Sequence, residues 1–398
     1  MKFLYVMSHP SDRLADERAG HVVRPRQLLA GLEALGHSTA VVQAAAAPGA
    51  QGAAQSYWRL RAALPTAVAL TMRDTARVVQ NSRFTKSVLE QVRAARPDVL
   101  LETQVAFSST GAVVSERTGV PLVVDDVSPV TEDEQTYDVR LRRLARARRA
   151  RTLRAASLVV VTSGRLREEM VAEGIAEDRT AVLANAVPAQ ALVPDPAAAT
   201  LRASLGFQEH DVVAAYVGSF QPFHKVQLLV RALADEAMPS QVRVLAVGDG
   251  DERSQAQALA GRLGVADRMV FTGRVPSDDV SRYMQAADLT VLPATADYTN
   301  PMKLYDYLAA GRPVVAPRQR AVQDIVGEGP VEYFEVDSVR GLVGALARLA
   351  EDSRERDRLG RAALEVASTH TWLERATALA ALVDPLLERP RPGGRPLE

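Results

Sequence analysis

Short apolar runs alternate with helical patterns along most of the chain, and this alternation most constrains the fold. Phe3 to Met7 is apolar, His21 to Leu35 follows a helical period, and Thr39 to Val42 is apolar again. A strand, loop, helix and strand in this order are typical of a parallel sheet. The second half repeats the pattern, with apolar runs at Val212 to Val217 and Val242 to Val247. The sequence therefore predicts an α/β protein built on parallel sheets.

The length of the chain predicts two domains. Its 398 residues exceed one typical core and suit two domains of about 150 to 200 residues each. A Pro- and Ala-rich stretch from Pro188 to Ala199 is the best candidate for a linker and boundary. We therefore expect domains over residues 1–187 and 188–370 and a last helix over 371–387. The tail, 388–398, is rich in Pro, Gly and Arg and is expected to be disordered.

Charge and composition exclude several classes of protein. Lys plus Arg equals Asp plus Glu, at 48 each, so no overall field favours nucleic acid or an anionic membrane. The chain has no cysteine, which excludes disulfides and thiolate chemistry. The first apolar run is too short for a signal peptide, and no run approaches the roughly 20 residues of a membrane span. The six histidines are scattered. We expect a cytoplasmic protein without a metal site.

One local exception to the charge balance is a basic helix. Eight arginines lie between Arg140 and Arg154, with Leu141, Leu144 and Leu153 on an apolar face. Such a helix can bind nucleic acid, a membrane surface or an anionic acceptor. Aromatic residues are missing from the run, and the chain as a whole is neutral. The favoured interpretation is a solvated helix packed on its own domain, without nucleic-acid binding, and weak peripheral membrane contact is the alternative.

A capped helix is predicted near residue 300. Asn300 suits the cap, Pro301 suits the first turn, and Gly311 suits a left-handed end. Lys303 lies in the first turn, where free N–H groups and a cation together can hold a phosphate. Asp306 lies one turn further on, where a carboxylate can accept hydrogen bonds from two ribose hydroxyls. The alternative is an ordinary surface helix with a solvated lysine and aspartate.

Glycines follow three predicted strands of the second half. These are Gly218, Gly248 and Gly273. The carboxyl ends of parallel strands share one edge of a sheet, and ligands bind beyond that edge. Three glycines there predict a surface where a ligand lies against bare backbone.

Acidic residues occupy the corresponding places in the first half. Glu102, Asp125 and Asp126 end two predicted strands, where substrate groups are met. The alternative is that these acids cap the helices that follow. Gly20 lies at a junction between a loop and a helix and can let a substrate approach the backbone, or it is a simple turn glycine.

Taken in order, four segments of the second half resemble the donor domain of the family 4 glycosyltransferases. These are retaining, nucleotide-sugar-dependent enzymes with the two-domain GT-B fold. The segments are 217–225 (Val-Gly-Ser-Phe-Gln-Pro-Phe-His-Lys), 247–250 (Val-Gly-Asp-Gly), 271–276 (Phe-Thr-Gly-Arg-Val-Pro) and 300–311 (Asn-Pro-Met-Lys-Leu-Tyr-Asp-Tyr to Gly). Weaker matches lie at 119–123 and 183–187 in the first half. Any one motif is weak evidence, whereas the ordered set is specific.

The resemblance implies a fold and a separate ligand for each of the two domains. It implies two Rossmann-like parallel-sheet domains facing across a cleft, and a C-terminal helix, opening at His370-Thr-Trp372, that crosses back to the first domain. The first domain then binds the acceptor and the second the nucleotide-sugar donor. The family's reaction retains configuration at C1. It needs no enzyme nucleophile, because the acceptor attacks the face from which the diphosphate leaves.

The resemblance also implies roles for residues of this sequence. Lys225, Lys303 and the helix N-terminus at Asn300 to Met302 stabilise the leaving diphosphate without a metal. Backbone near Arg274 and Val275 holds the base, and Asp306 holds the ribose. The predicted donor-binding set is Gly20, Gly218, Ser219, Lys225, Gly248, Gly273, Arg274, Val275, Asn300, Pro301, Met302, Lys303, Leu304 and Asp306. The predicted catalytic set is Lys225, Asp306, Asp126 and Glu102.

The sequence departs from the family at three places. Ser219 stands where many relatives have arginine. Asp306 replaces the second of two glutamates seven residues apart, and the first falls at Tyr298, beside Asp297. A histidine that many members carry near the strand ending at Asp125 has no counterpart. The departures at Ser219 and Asp306 keep one alternative open, a sugar-nucleotide-binding partner protein that has lost catalysis. A GT-B nucleotide-sugar 2-epimerase, which shares the architecture, is another alternative, and the Pro-x-Lys-x-x-Asp-Tyr signature argues against it.

Several properties stay open on the sequence alone. No cofactor is expected beyond the co-substrate, whose nucleotide is UDP, GDP or dTDP. The acceptor is a small molecule, a glycan or a lipid-linked intermediate, and the chain is a monomer or a homodimer.

Overall fold

The computed structural model describes residues 1–9, 14, 20–44, 64–129 and 138–388. The chain divides into two compact units, one formed by Met1–Ala184 with Arg375–Glu398 and the other by Asn185–Glu374. The tail predicted to be disordered lies outside the described residues from position 389 onwards.

The first unit is built on a six-stranded parallel sheet with the order β2-β1-β3-β4-β5-β6. Its strands are β1 (Lys2–Met7), β2 (Ser38–Gln43), β3 (Val99–Thr103), β4 (Leu122–Asp126), β5 (Leu158–Val161) and β6 (Thr180–Val182). All residues of β4 and β5 are buried, as expected when helices cover both faces of a parallel sheet.

In the described part of the first unit, five helices lie between these strands. They are α1 (Gly20–Ala34), α2 (Thr66–Ala95), α3 (Thr110–Thr118), α4 (Arg142–Ala155) and α5 (Gly164–Ala172). The basic run forms α4, and it packs on its own unit. Asp74 of α2 accepts hydrogen bonds from the N–H groups of Arg140 and Leu141 just before α4 begins. Arg148 donates to the carbonyl of Phe107 at 3.2 Å. The structure thus confirms the interpretation of α4 as a helix packed on its own domain.

The second unit holds a six-stranded parallel sheet with the order β12-β11-β10-β7-β8-β9. Its strands are β7 (Val212–Val217), β8 (Val242–Val247), β9 (Met269–Gly273), β10 (Leu289–Val291), β11 (Val314–Pro317) and β12 (Val331–Phe334). Counted from β7 as the first strand, the order is 3-2-1-4-5-6, that of the Rossmann fold. The prediction of two Rossmann-like parallel-sheet domains is therefore confirmed.

The helices of the second unit cover both faces of this sheet. They are α6 (Ala198–Ser204), α7 (Gln227–Leu233), α8 (Arg253–Arg262), α9 (Val280–Gln285), α10 (Met302–Ala309), α11 (Arg320–Val326), α12 (Val339–Glu351) and α13 (Ser353–Ser368). The last helix, α14 (Trp372–Leu387), belongs to the first unit from Arg375 onwards.

Strand β7 shows why the helices take these places. Its alternate side chains enter two separate cores, with Tyr216 in one and Val213 and Val217 in the other. Helix α10 contributes Leu304 and Leu308 to the second core, as the helical period of the sequence predicts. Within the described ranges, no helix is long and apolar enough to cross a bilayer.

The Pro- and Ala-rich stretch from Pro188 to Ala199 is structured. It contains a short 3₁₀ turn, Ala189–Leu192, and the start of α6. The N–H of Asp195 donates to the side-chain oxygen of Gln285 in α9 at 2.6 Å. A composition that is typical of linkers is compatible here with a segment bonded to its own unit.

Candidate functional site

The second sheet has its switch point between β7 and β10, the neighbours from which the strand order runs in opposite directions. Ligands of open α/β sheets bind beyond the carboxyl ends of the strands at such a point. Gly218 follows β7 directly, and the helix after β10 is α10, which carries Lys303 in its first turn. The topology therefore brings these two residues to the place where a ligand is expected.

The three glycines predicted at this edge lie side by side, because β7, β8 and β9 are neighbours. The N–H of Gly218 donates to Val247, and the N–H of Gly248 donates to Gly273, at 3.0 and 2.9 Å. A Cβ on Gly248 would lie 2.0 Å from the carbonyl oxygen of Gly218, and its φ of +126° also favours glycine. The edge is therefore bare backbone, as the sequence predicts.

Lys303 packs against this backbone. A Cβ on Gly218 would lie 2.3 Å from Cε of Lys303, so glycine makes room for the lysine stem. The Nζ atom lies 5.6 Å from the centre of the Tyr216 ring, within reach of a cation–π attraction. Among the described residues, no carboxylate forms an ion pair with Lys303. Burial lowers its pKa to about 7, because a buried ammonium loses its hydration.

His224 is the partner of Lys303, and it is not among the site residues predicted from the sequence. It ends a single 3₁₀ turn, Pro222–His224, after β7. Its Nε2 lies 2.5 Å from Nζ of Lys303, and its Nδ1 lies 2.6 Å from the carbonyl oxygen of Ser219. Burial and the Lys303 charge lower its pKa to about 4, so the ring is neutral at pH 7. Its position immediately before Lys225 was the available signal.

Asp306 lies one turn after Lys303 and is partly buried. Burial raises the pKa of its carboxyl to about 7, because no cation pairs with it among the described residues. The next residue, Tyr307, donates its hydroxyl to the carbonyl of Val217 at 3.0 Å and accepts from the Val217 N–H at 2.9 Å. These two bonds fix α10 against the end of β7, and they fix the positions of Lys303 and Asp306 with it.

Lys225 forms an ion pair with a carboxylate of the protein, whereas its predicted role requires a contact with the donor diphosphate. Its Nζ contacts both carboxylate oxygens of Asp337, at 2.6 and 2.5 Å. Both side chains are about half exposed. Lys225 also has a left-handed backbone, with a φ of +49°, which directs the chain from the 3₁₀ turn into α7. The lysine therefore lies next to His224 in the chain, with its charge already paired.

Asn300 does not cap α10, and this corrects the prediction. Its Oδ1 accepts from the N–H of Asn185 at 2.7 Å, while Nδ2 of Asn185 donates to the Asn300 carbonyl at 2.7 Å. The cap position falls on Pro301, and α10 begins at Met302 without a side-chain cap. The first amides of α10 are therefore left without a capping side chain. Gly311 has a φ of +65° and ends the helix as predicted.

The remaining predicted donor residues fall into different environments. The Ser219 carbonyl also accepts from the Tyr216 hydroxyl at 2.5 Å, so its backbone is part of the support for His224. The side chain of Leu304 lies fully in the core, and its place in the donor site stays a prediction. Arg274 is exposed after β9, and Val275 packs on the core. Gly20 begins α1 of the first unit.

The acids of the first sheet are engaged in internal bonds. Glu102 accepts from the hydroxyls of Ser8 and Ser108 at 2.6 and 2.8 Å, and from the N–H of Gly111 in α3 at 2.8 Å. Burial raises the pKa of Glu102, and the hydrogen bonds from Ser8, Ser108 and Gly111 lower it. Its side chain has no exposed surface.

The neighbouring aspartates are paired with buried arginines. Arg24 donates to both oxygens of Asp125, at 2.8 and 2.9 Å. Arg149 of α4 donates to Asp126 at 2.6 Å. Asp126 and Glu102 therefore bond elements of the first unit to one another, and their catalytic role stays a prediction.

Metal binding has no support in the part of the chain that the structure describes. No group of three or more His, Cys, Asp or Glu side chains is placed there to hold an ion.

Two family models match successive parts of the chain. Residues 19–186 match the glycosyl transferase 4-like domain, and residues 198–366 match the glycosyl transferases group 1. Each match falls on one of the two Rossmann-like sheets.

Curated relatives carry the name D-inositol 3-phosphate glycosyltransferase. The relative from Acidothermus cellulolyticus is 30% identical over 312 residues, covering 73% of this chain and 68% of the relative. The relative from Corynebacterium glutamicum is 29% identical over 215 residues, so the match spans about half of each chain, 52% and 51%.

Solved structures agree on the fold. The Anabaena protein HepE in complex with UDP is 18% identical, with a TM-score of 0.72 over 97% of this chain and 100% of that one. Sucrose-phosphate synthase from Thermosynechococcus elongatus is 17% identical, with a TM-score of 0.75 over 97% and 99% of the two chains. The chain therefore belongs to the glycosyltransferase family in which a 4-like domain is followed by a group 1 domain. It has the two Rossmann-like domains of the GT-B fold.

Proposed function

We propose that this protein transfers a sugar from a nucleotide-diphosphate sugar to an acceptor hydroxyl, with retention at C1 and without a metal or other cofactor. The observation that carries the proposal is the ammonium of Lys303, which lies against bare glycine backbone at the switch point and has no carboxylate partner among the described residues. A cation that is partly withdrawn from water and lacks a counter-ion is costly unless an anion binds there. A diphosphate is the anion that the family's donors provide.

The chemistry of the leaving group fits these residues. As the bond from C1 to the diphosphate breaks, negative charge develops on the departing oxygen. Fixed positive charge and N–H groups aimed at that oxygen stabilise the transition state. Lys303 supplies the charge, and the uncapped first amides of α10 supply donors. Lys225 adds a second cation when it exchanges Asp337 for the diphosphate.

Asp306 and the residues after β9 complete the donor site in this proposal. The Asp306 carboxylate accepts hydrogen bonds from the ribose hydroxyls, and the backbone at Arg274 and Val275 meets the base. The structures of HepE with UDP and with UDP-glucose support a uridine nucleotide as the first candidate. GDP and dTDP donors are the alternatives.

The proposed acceptor is a small hydroxylated molecule. Relatives are named for inositol 3-phosphate and, in Bacillus anthracis, for the synthesis of N-acetyl-glucosaminyl malate. Both names describe small polar acceptors that carry an anionic group. Glycan and lipid-linked acceptors are the alternatives that an acceptor screen would reveal.

A thermal-shift experiment tests the donor site. UDP, GDP and dTDP are each added to the wild-type protein and to two variants, Lys303→Met and the exposed-lysine control Lys86→Met. At one hundred times its Kd, a nucleotide stabilises the fold by about 2.7 kcal/mol. We expect one nucleotide to raise the Tm of the wild type and the control, with a much smaller rise for Lys303→Met. The proposal fails if none raises it.

A turnover assay separates the enzyme from a protein that only binds. The nucleotide sugar of the base that stabilises the wild type is incubated with small polyols and sugar phosphates, and release of the free nucleotide is followed. Glycosylated product with the anomeric configuration of the donor supports the proposal. Binding without any turnover supports the lapsed partner protein instead.

A further inference from the structure

The ring of His224 is held in one tautomer by its neighbours. Its Nδ1 lies 2.6 Å from the Ser219 carbonyl oxygen, which only accepts, so Nδ1 carries the proton. The Nε2 atom then carries a lone pair and can accept a hydrogen bond, and it lies 2.5 Å from Nζ of Lys303. The ring therefore accepts one hydrogen bond from the ammonium and donates the other to backbone.

The support for this ring extends to β7 on one side and to its own turn on the other. The Tyr216 hydroxyl donates to the same Ser219 carbonyl at 2.5 Å. The Phe223 ring lies 4.2 Å from the His224 ring, centre to centre. With Gly218 beneath the lysine stem, the ammonium is held on one side by a neutral acceptor. Its other N–H groups are not used by any hydrogen bond among the described residues.

A neutral acceptor suits a cation that must later bind an anion. A carboxylate in the place of His224 would neutralise Lys303 and compete with a diphosphate, as Asp337 does for Lys225. A neutral imidazole orients the ammonium through a charge-assisted hydrogen bond and leaves its charge available.

We infer that His224 is a positioning residue for Lys303, which it holds through Nε2 so that the ammonium meets the donor diphosphate. This inference rests on the proposed function, because it takes a diphosphate as the ligand of Lys303. His224 itself contacts the lysine and the Ser219 backbone.

Protonation gives the inference a signature that a purely structural role lacks. The groups that face the Lys303 ammonium are the neutral His224 and the Tyr216 ring from β7. Asp306 follows one turn later on the same helix, and Lys225, next to His224 in the chain, is paired with Asp337. The pKa of Lys303 is about 7, and a bound diphosphate raises it because opposite charges attract. Donor binding therefore takes up a proton between pH 7 and 9, and affinity falls as pH rises through that range.

Two amide substitutions separate the functions of the two ring nitrogens. In His224→Gln, the amide reaches the position of Nε2, so its oxygen can accept from Lys303. In His224→Asn, the amide reaches only the position of Nδ1, so the bond to Ser219 is kept and the acceptor for Lys303 is lost. The substitutions are matched in chemistry and differ by one methylene.

The experiment measures binding of the nucleoside diphosphate that stabilises the wild type, by calorimetry from pH 6 to 9. Each measurement is repeated in two buffers with different ionisation enthalpies, which reports the protons taken up. We expect about tenfold weaker binding for His224→Asn at pH 8, since losing a hydrogen bond to a charged group costs that much or more. Its affinity should also begin to fall at a lower pH, because the acceptor stabilises the charged lysine. His224→Gln should bind within about threefold of the wild type.

The outcomes distinguish this inference from the proposed function. If the wild type binds none of UDP, GDP and dTDP, the proposed function has failed. If the wild type binds but both variants share its affinity and pH profile, the inference is wrong while the function stands. Equal losses in the two variants, without a change in pH profile or in proton uptake, would also overturn it, since they indicate a structural role. Far-ultraviolet circular dichroism and Tm confirm that each variant is folded.

Discussion

The carboxyl edges of the two sheets share a parallel topology and differ in how their charges are satisfied. At the first edge, Asp125 and Asp126 are buried, and each pairs with a buried arginine, Arg24 or Arg149. At the second edge, the only hydrogen-bond partner of the Lys303 ammonium among the described residues is the neutral His224. Asp306 has no ion pair among those residues. The aspartates of the first edge are neutralised by ion pairs, whereas the Lys303 charge at the second edge is not neutralised by a described residue.

This difference shows how a structural ion can be told from a functional one. Burial alone does not decide, because the charges at both edges are at least partly removed from water. Pairing decides, since a buried charge with a matched partner holds elements together, and one without a partner is costly until a ligand arrives. At the second edge, burial moves the pKa values of both Lys303 and Asp306 to about 7.

Removing Asp126 breaks the first edge and is the largest effect we expect. Asp126→Ala leaves Arg149 with the partly exposed Glu173 as its one ion-pair partner among the described residues, so the free energy of unfolding should fall by about 3 kcal/mol. The control is Glu116→Ala, which removes a half-exposed pair with Arg151 and should cost no more than about 1 kcal/mol. Urea denaturation measures both. Equal losses in the two variants would contradict the distinction between structural and exposed pairs.

Removing Lys303 breaks the second edge in the opposite way. Lys303→Met should lower kcat/KM about a hundredfold, near the effect of losing one preorganised donor at a reacting oxygen. It should not destabilise the fold. The folded pKa of Lys303 is depressed, so its charged form opposes folding below about pH 7 and this cost fades as pH rises towards 10.5. The variant's gain in stability should therefore be larger at pH 6 than at pH 9. A loss of stability at pH 6 would show that the lysine is structural.

The fold could be predicted from the sequence because it depends on repeated local patterns. Apolar runs such as Val212–Val217 and Val242–Val247 match β7 and β8 at both ends. Strand β12 and helix α11 are not predicted, because both are short: Val331–Phe334 has four residues and Arg320–Val326 has seven. Asn300 misled the prediction for another reason. Its sequence position suits a cap, but Asn185, which is distant in the chain, binds its side chain.

Only those parts of the site whose residues lie close together in the sequence could be predicted. Lys303, Asp306 and the strand-tip glycines were identified from motifs, and the structure brings Gly218 and Lys303 together. The hydrogen-bond partners of Glu102 and Asp126 could not be predicted, because Ser8 and Arg149 lie in other segments of the chain. His224 was missed because its partner, Lys303, is 79 residues away in the sequence.

Substitutions at Lys225 and at its partner Asp337 test whether a paired surface cation also takes part in donor binding. Lys225→Ala should reduce kcat/KM about tenfold, because one charge-assisted hydrogen bond to the diphosphate is lost. Asp337→Asn should lower the donor KM, because the lysine no longer exchanges a carboxylate for the diphosphate. Initial rates at varied donor concentration measure both. If Asp337→Asn leaves the donor KM unchanged, the ion pair does not compete with the donor.

Asp306→Asn is expected to give the smallest change and sharpens the comparison at a single carboxyl group. The donor KM should rise about fivefold with little change in kcat, because an amide oxygen still accepts one ribose hydroxyl but carries no charge. The folded pKa of Asp306 is raised, so its ionised form opposes folding as pH rises from about 4 through about 7. The variant should therefore gain more stability over the wild type at pH 8 than at pH 5, the reverse of Lys303→Met. Urea denaturation at both pH values measures the gain, and a constant difference would mean that Asp306 is solvated and not held as an unpaired carboxyl.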